Sequence, residues 1–226
     1  MTGITNRFTV SSLFPDLVAD KFTGPLPMSV QQGTNADMVH RFRDVYFGHN
    51  RAIVDLTYGS EGGWWKRHRP DGLVVSEHDF TDLPADWTGR FGTTCYDPPY
   101  VQTGGAATKA ELATGFRDRF GINDLKRSES ELLTLILDGA TEAARITDPD
   151  DGFLCVKAMD FVGSSRFCDW TYAVHAHITG EKVGMYLHDE IVHNAGPGPG
   201  GHNIAAAKRA RRAHSKLLVF TWRCIR

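Results

Sequence analysis

Three short runs in the first half of the chain, AIVD (52–55), LVVSEHDF (73–80) and TTCYD (93–97), combine β-prone residues with an acidic side chain at or near the end. The apolar run Ala52 to Val54 offers water no polar face, which predicts a strand buried inside a parallel sheet, and the other two are candidate strands beside it. Helix signals or glycine and proline turns fill the stretches between them. Strands alternating with helices predict an α/β chain with helices on both faces of the sheet. Ligands of such sheets bind beyond the carboxyl ends of the strands, where Asp55, Asp79 and Asp97 fall.

The remaining segments fit this plan. TNADMVHRFRDVYFG sets Met38, Val39, Phe42, Val45 and Tyr46 at helical spacing behind a Thr34 or Asn35 cap and stops at Gly48. SESELLTLILDGATEAARI opens on a capping-box pattern, with Ser128 or Ser130 ahead of acidic residues, and lines Leu132, Leu133, Ile136, Leu137 and Ala140 along one face. GFLCVKAMDF, KVGMYLHDEIVHN and SKLLVFTW read as later strands and FCDWTYAVHAHITG as a helix. The last two strands are expected to form a closing antiparallel pair. Residues 1–33, rich in proline and glycine, read as an irregular arm, and 34–226 as one domain. A chain of 226 residues with 41% hydrophobic content can bury one sizeable core.

Composition removes several function classes. A net charge of -2 excludes a uniformly basic nucleic-acid binder, so any such contact needs a local patch. No segment approaches the roughly 20 apolar residues of a membrane span, and MTGITNRFTV lacks a signal-like apolar run, so no membrane contact and a cytoplasmic location are expected. Cys95, Cys155, Cys168 and Cys224 form no C-x-x-C pair and read as buried reduced thiols. The histidines of HAH and HDEIVH lack the H-E-x-x-H spacing, so no metal is expected. Trp64 and Trp65 read as core.

The segment CYDPPYVQTGG (95–105) carries the chemistry. Two adjacent prolines fix two φ angles and remove two backbone donors, holding the Asp97 carboxylate, the carbonyls of Pro98 and Pro99 and the Tyr100 ring in one rigid arrangement. Upstream, another strand ends in DLTYGSEGG (55–63). Together these motifs resemble the amino-methylating S-adenosylmethionine-dependent methyltransferases, which carry a D/N/S-P-P-Y/F/W motif after one strand and an acidic, glycine-bearing loop after an earlier one. The resemblance covers most of residues 34–222. The cofactor loop precedes the catalytic motif, as in one arrangement of that family.

The resemblance implies a Rossmann-like methyltransferase fold, S-adenosyl-L-methionine as methyl donor and S-adenosyl-L-homocysteine as product. It implies an aryl amine as acceptor, with aspartate in first place favouring adenine N6 over cytosine N4. Such an amine has its lone pair delocalised into the ring. Asp97 and Pro98 would accept its two N–H bonds and Tyr100 would stack on the base, with Asp97 also beside the cofactor. Asp55, Thr57, Gly59 and Gly62 would shape the cofactor loop, although Glu61 stands where the family's second glycine is usual. Asp79 and Phe80 would meet the amino group and ring of the cofactor's adenine, and Thr34 and Asn35 its methionine carboxylate. DNA is the implied partner, and its target base would have to be flipped out of the stack.

Lys208, Arg209, Arg211 and Arg212 put four cations in five residues, a charge run that this resemblance turns into phosphate contacts. No segment reads as a target-recognition domain, so 101–128 and 195–213 are the candidate substrate-contacting insertions unless a specificity partner supplies that role. The rivals are a cytosine-N4 enzyme, an RNA methyltransferase acting on guanine N2 or adenine N6, and a nucleic-acid-binding module of this fold that does not turn over.

Overall fold

The computed structural model describes residues 27–47, 51–58, 63–98, 128–163, 166–194 and 214–223. In chain order these contain β1 (Val30–Gln32), α1 (Asn35–Phe42), β2 (Ile53–Asp55), β3 (Val74–Val75), β4 (Thr93–Tyr96), α2 (Glu129–Ile146), β5 (Phe153–Ala158), β6 (Phe161–Gly163), β7 (Arg166–Cys168), α3 (Trp170–Thr179), β8 (Tyr186–Asn194) and β9 (His214–Thr221). Among the described residues, seven strands form one sheet in the order β1-β8-β9-β5-β4-β2-β3, and β6 with β7 forms a separate antiparallel hairpin. Every pairing in the large sheet is parallel except those of β9, which runs antiparallel to both β5 and β8. This is the mainly parallel, Rossmann-like sheet with a closing antiparallel pair that the sequence predicts.

Two cores flank the sheet because its inner strands send alternate side chains to opposite faces. Cys95 of β4 joins Cys155, Leu217, Trp64, Trp65 and the α1 residues Met38, Val39 and Phe42 on one face. Its neighbour Tyr96 joins Val156, Leu218, Phe220 and the apolar stripes of α2 and α3 on the other. The α2 start is the expected capping box, with Ser128 accepting from the Glu131 amide and Glu131 closing back on the Ser128 amide. Cys95, Cys155 and Cys168 are buried free thiols, while Cys224 lies outside the described residues.

Three segments differ from the sequence reading. The arm expected over 1–33 contains β1, which pairs in parallel with β8 at the sheet edge. Its V-Q-Q sequence gives no apolar signal because its one inward side chain is Gln31, whose buried amide oxygen accepts from Arg41 at 2.8 Å. LVVSEHDF yields only the two residues of β3, an edge strand with a single neighbour. The helix expected from Phe167 begins at Trp170, since Phe167 and Cys168 pair with β6 and Asp169 takes the cap position, accepting from the Tyr172 amide. Among the described residues, no helix is long and apolar enough to cross a membrane.

Candidate active site at the carboxyl end of the sheet

β2 and β4 are parallel neighbours with Asp55 in register with Cys95, so both strands deliver their acidic ends to the same edge. Asp55 is 4% exposed. One carboxylate oxygen accepts the Thr57 amide at 2.8 Å, folding the chain into a turn, and the other accepts the Trp65 indole N–H at 2.7 Å. Asp55 is therefore the internal anchor of the turn. Burial pushes its carboxyl up to about 6 against the pull of these two donors, and the nearby Asp97 charge adds to the rise.

That shift predicts a pH dependence of stability. The folded protein holds the Asp55 proton to a higher pH than the unfolded chain, whose value stays near 3.8. Its contribution is thus fully present below that value, is lost as pH rises to about 6, and is flat above. The loss is on the order of 2 to 3 kcal/mol. Urea unfolding across this range should show the slope in the wild type and not in Asp55→Ala, so that the difference between the two carries it. Parallel curves for the two proteins would refute the assignment.

Asp97 follows β4 directly. Its backbone N–H donates to Thr57 Oγ1 at 2.7 Å, tying the proline motif to the turn after β2. Its carboxylate Oδ2 accepts from the Trp64 indole at 3.1 Å and lies 3.5 Å from the Lys157 ammonium, with the side chain 23% exposed. Pro98 is buried. The two adjacent tryptophans are core residues, as expected, yet each also donates its N–H to one of the two strand-end carboxylates.

The polar edge continues along the sheet on the α1 face. His193 of β8 lies 2.8 Å from the Gly33 carbonyl through Nε2 and 3.4 Å from Ser215 Oγ through Nδ1. A carbonyl only accepts, so Nε2 carries the proton and Nδ1 receives the Ser215 hydroxyl. Burial, the main cause, and the Lys157 charge push the His193 imidazolium down, which suits this neutral form, although the Gly33 bond, Asp97 and Asp37 act the other way. Gly33, at φ 112°, turns the chain from β1 into α1; Thr34 caps that helix in a reciprocal box with Asp37, and Asp37 pairs with Arg67. Arg67 follows the tryptophan pair, which closes the rim. The Thr34 interactions, chiefly its backbone N–H, hold the Asp37 carboxyl below the usual range.

Of the residues singled out from sequence, Asp55, Thr57, Asp97 and Pro98 come together here, with Thr34 and Asn35 at the start of α1 on the same edge. Asp79 is exposed and accepts from the Thr81 amide and hydroxyl at 2.9 and 2.7 Å, capping its own turn. Phe80 is 3% exposed and packs on Tyr96. Gly59, Gly62, Pro99, Tyr100, Lys208, Arg209, Arg211 and Arg212 lie outside the described residues. Lys157 and His193 were missed. The signal for Lys157 was available, since it is the one charge inside the otherwise apolar strand FLCVKA. Among the described residues, no group of three histidine, cysteine, aspartate or glutamate side chains is placed to hold a metal ion.

No protein-family model and no curated protein matches this chain. Solved structures align with it at low identity. TTHA0409 from Thermus thermophilus, a "putative DNA modification methylase" complexed with S-adenosyl-L-methionine, aligns at 14% identity and a TM-score of 0.39, over 63% of this chain and 50% of that one. PvuII DNA methyltransferase, cytosine-N4-specific, aligns at 14% identity and a TM-score of 0.37, over 58% of this chain and 42% of that one. The antibiotic-resistance methyltransferase Kmr aligns at 15% identity and a TM-score of 0.33, over 84% and 98%. The match spans about half the length of the first two.

Proposed function

We propose that this chain is an S-adenosylmethionine-dependent methyltransferase acting on an exocyclic amino group of a nucleobase, with N6 of adenine in DNA as the acceptor. The observation that carries the reading is the junction of its two motifs: the Asp97 amide bonds to Thr57, so the start of the proline motif and the acidic turn after β2 are built as one unit at adjacent strand ends. The start of α1 fits the cofactor's carboxylate, which leaves the partly exposed Asp97 carboxylate and its Lys157 partner to the acceptor side. When bound, the cofactor supplies an electrophilic sulfonium methyl.

The chain's own residues prepare the nucleophile. Accepting hydrogen bonds at Asp97 and the Pro98 carbonyl draw both amine hydrogens out of the ring plane, moving the nitrogen toward sp³ and returning its lone pair for attack. Such positioning can lower the barrier by several kcal/mol. The acidic Asp97 in place of serine favours adenine through the family resemblance. Lys208, Arg209, Arg211 and Arg212 would neutralise phosphates, giving binding a steep salt dependence.

The test is incubation with methyl-labelled cofactor and DNA or RNA, followed by nucleoside mass spectrometry. N6-methyldeoxyadenosine supports the proposal. Label on cytosine N4 or on RNA bases overturns the acceptor and keeps the chemistry. Absence of label together with no calorimetric binding of the cofactor overturns both and leaves a nucleic-acid-binding module.

A further inference from the structure

We propose that Trp64 and Lys157 are positioning residues that lock the Asp97 carboxylate by its Oδ2 atom, so that Oδ1 is the oxygen presented to the acceptor's amino group. This rests on the amine-methylation reading above. An aspartate carboxylate on its own turns over a broad, nearly two-fold torsional profile, and its oxygens exchange. Here two donors from different elements converge on one oxygen, the Trp64 indole at 3.1 Å and the Lys157 ammonium at 3.5 Å. The indole hydrogen bond takes one of the two lone-pair directions of that oxygen, and the ammonium holds the same oxygen as an ion pair. An approaching N–H therefore meets a crowded Oδ2 and is directed to Oδ1.

The lock is anchored on both sides. The Trp64 ring is 5% exposed and wedged edge-on against Phe47, with centroids 6.1 Å apart, so its N–H has one direction. Lys157 projects from β5, the strand beside β4, with its side chain 17% exposed. At the other end of the residue, the Asp97 amide is fixed on Thr57 at 2.7 Å. Carboxylate and backbone are thereby held together, and with them the Oδ1 to Pro98 carbonyl spacing that a single amino group must span. Reaction rates respond steeply to such spacing, by about 100-fold for a displacement on the order of 1 Å.

The experiment uses the full chain with Trp64→Phe, Lys157→Met and Lys157→Arg. At saturating cofactor, kcat should fall roughly 10- to 100-fold in Trp64→Phe and Lys157→Met, while KM for DNA and calorimetric cofactor affinity stay within about threefold. Lys157→Arg, which keeps a cationic donor, should recover most of the rate. A second readout is independent of turnover: the Trp64 indole ¹H–¹⁵N resonance, identified by its loss in Trp64→Phe, should move in both Lys157→Met and Asp97→Ala. Wild-type rates in Lys157→Met, cofactor affinity falling in step with kcat, or an indole resonance indifferent to Asp97→Ala would each overturn the proposal. If the resonance responds but the wild type methylates nothing, the methylation reading fails and the carboxylate lock stands.

Discussion

Asp97→Ala is expected to lower kcat for methyl transfer by about 1,000-fold, the scale seen when a preorganised charge-stabilising contact is deleted from an active site, while cofactor affinity changes by no more than about threefold. The asymmetry follows from where Asp97 is tied in. Its link to the cofactor turn is a backbone N–H to Thr57 Oγ1, which alanine retains. The turn itself is closed by Asp55 on Thr57 and Trp65, neither of which needs the Asp97 side chain. What alanine removes is the acceptor that pulls an amine hydrogen out of the ring plane. Lys157, partly exposed, can turn its ammonium to water, which limits the structural cost. Losing the neighbouring negative charge should also lower the raised Asp55 value, since Asp97 is one of its causes. Single-turnover transfer and calorimetry decide the matter: transfer retained within about tenfold would remove Asp97 from the chemistry, and a parallel loss of cofactor binding would make it a scaffold residue.

How much of this was legible depended on whether the determining contacts were local. The α2 capping box is set by residues three apart, and its apolar stripe by helical period, so both stand in the sequence. The short buried runs announced β2 and β4. Their adjacency, which places Asp55 beside Asp97, is a long-range pairing that only the paired motifs suggested. Lys157, Ser215 and His193 lie on three strands whose register is fixed by β9 running against its neighbours, and no local pattern encodes that register. Trp64 and Trp65 were readable as core by size, but their indole donors are assigned by which carboxylates happen to lie within reach. Phe80 follows a strand-end acid in the sequence, but its packing on Tyr96 in the core shared with α2 is a long-range contact that no local pattern encodes.

Gly139 sits in that same contact, and replacing it should be the most damaging change to the fold outside the site. It lies mid-way along α2, where glycine costs about 1 kcal/mol relative to alanine. A methyl group there would nevertheless overlap the Tyr96 hydroxyl and come within 2.6 Å of Phe80 Cδ2 and 2.8 Å of Tyr96 Cζ. Neither ring can retreat: Tyr96 is fully buried with its hydroxyl donating to the Ile136 carbonyl, and Phe80 is pinned against it. Overpacking, with the Tyr96 bond lost, should outweigh the gain in helix propensity, giving Gly139→Ala a net loss of about 3 kcal/mol and Gly139→Val a loss of roughly 4 kcal/mol or more. For a chain of this size Gly139→Ala should melt roughly 6 to 12 °C lower. Tyr96→Phe in the Gly139→Ala background removes the nearest clash but leaves the ring carbons, so it should restore only part of the loss. Because Tyr96 immediately precedes Asp97, the displaced ring also pulls on the strand end, and methyl transfer should fall before the protein unfolds. A Gly139→Ala protein as stable as the wild type by calorimetry would mean that α2 can slide away from β4, and with it that the sheet edge carrying Asp97 is less rigid than these contacts require.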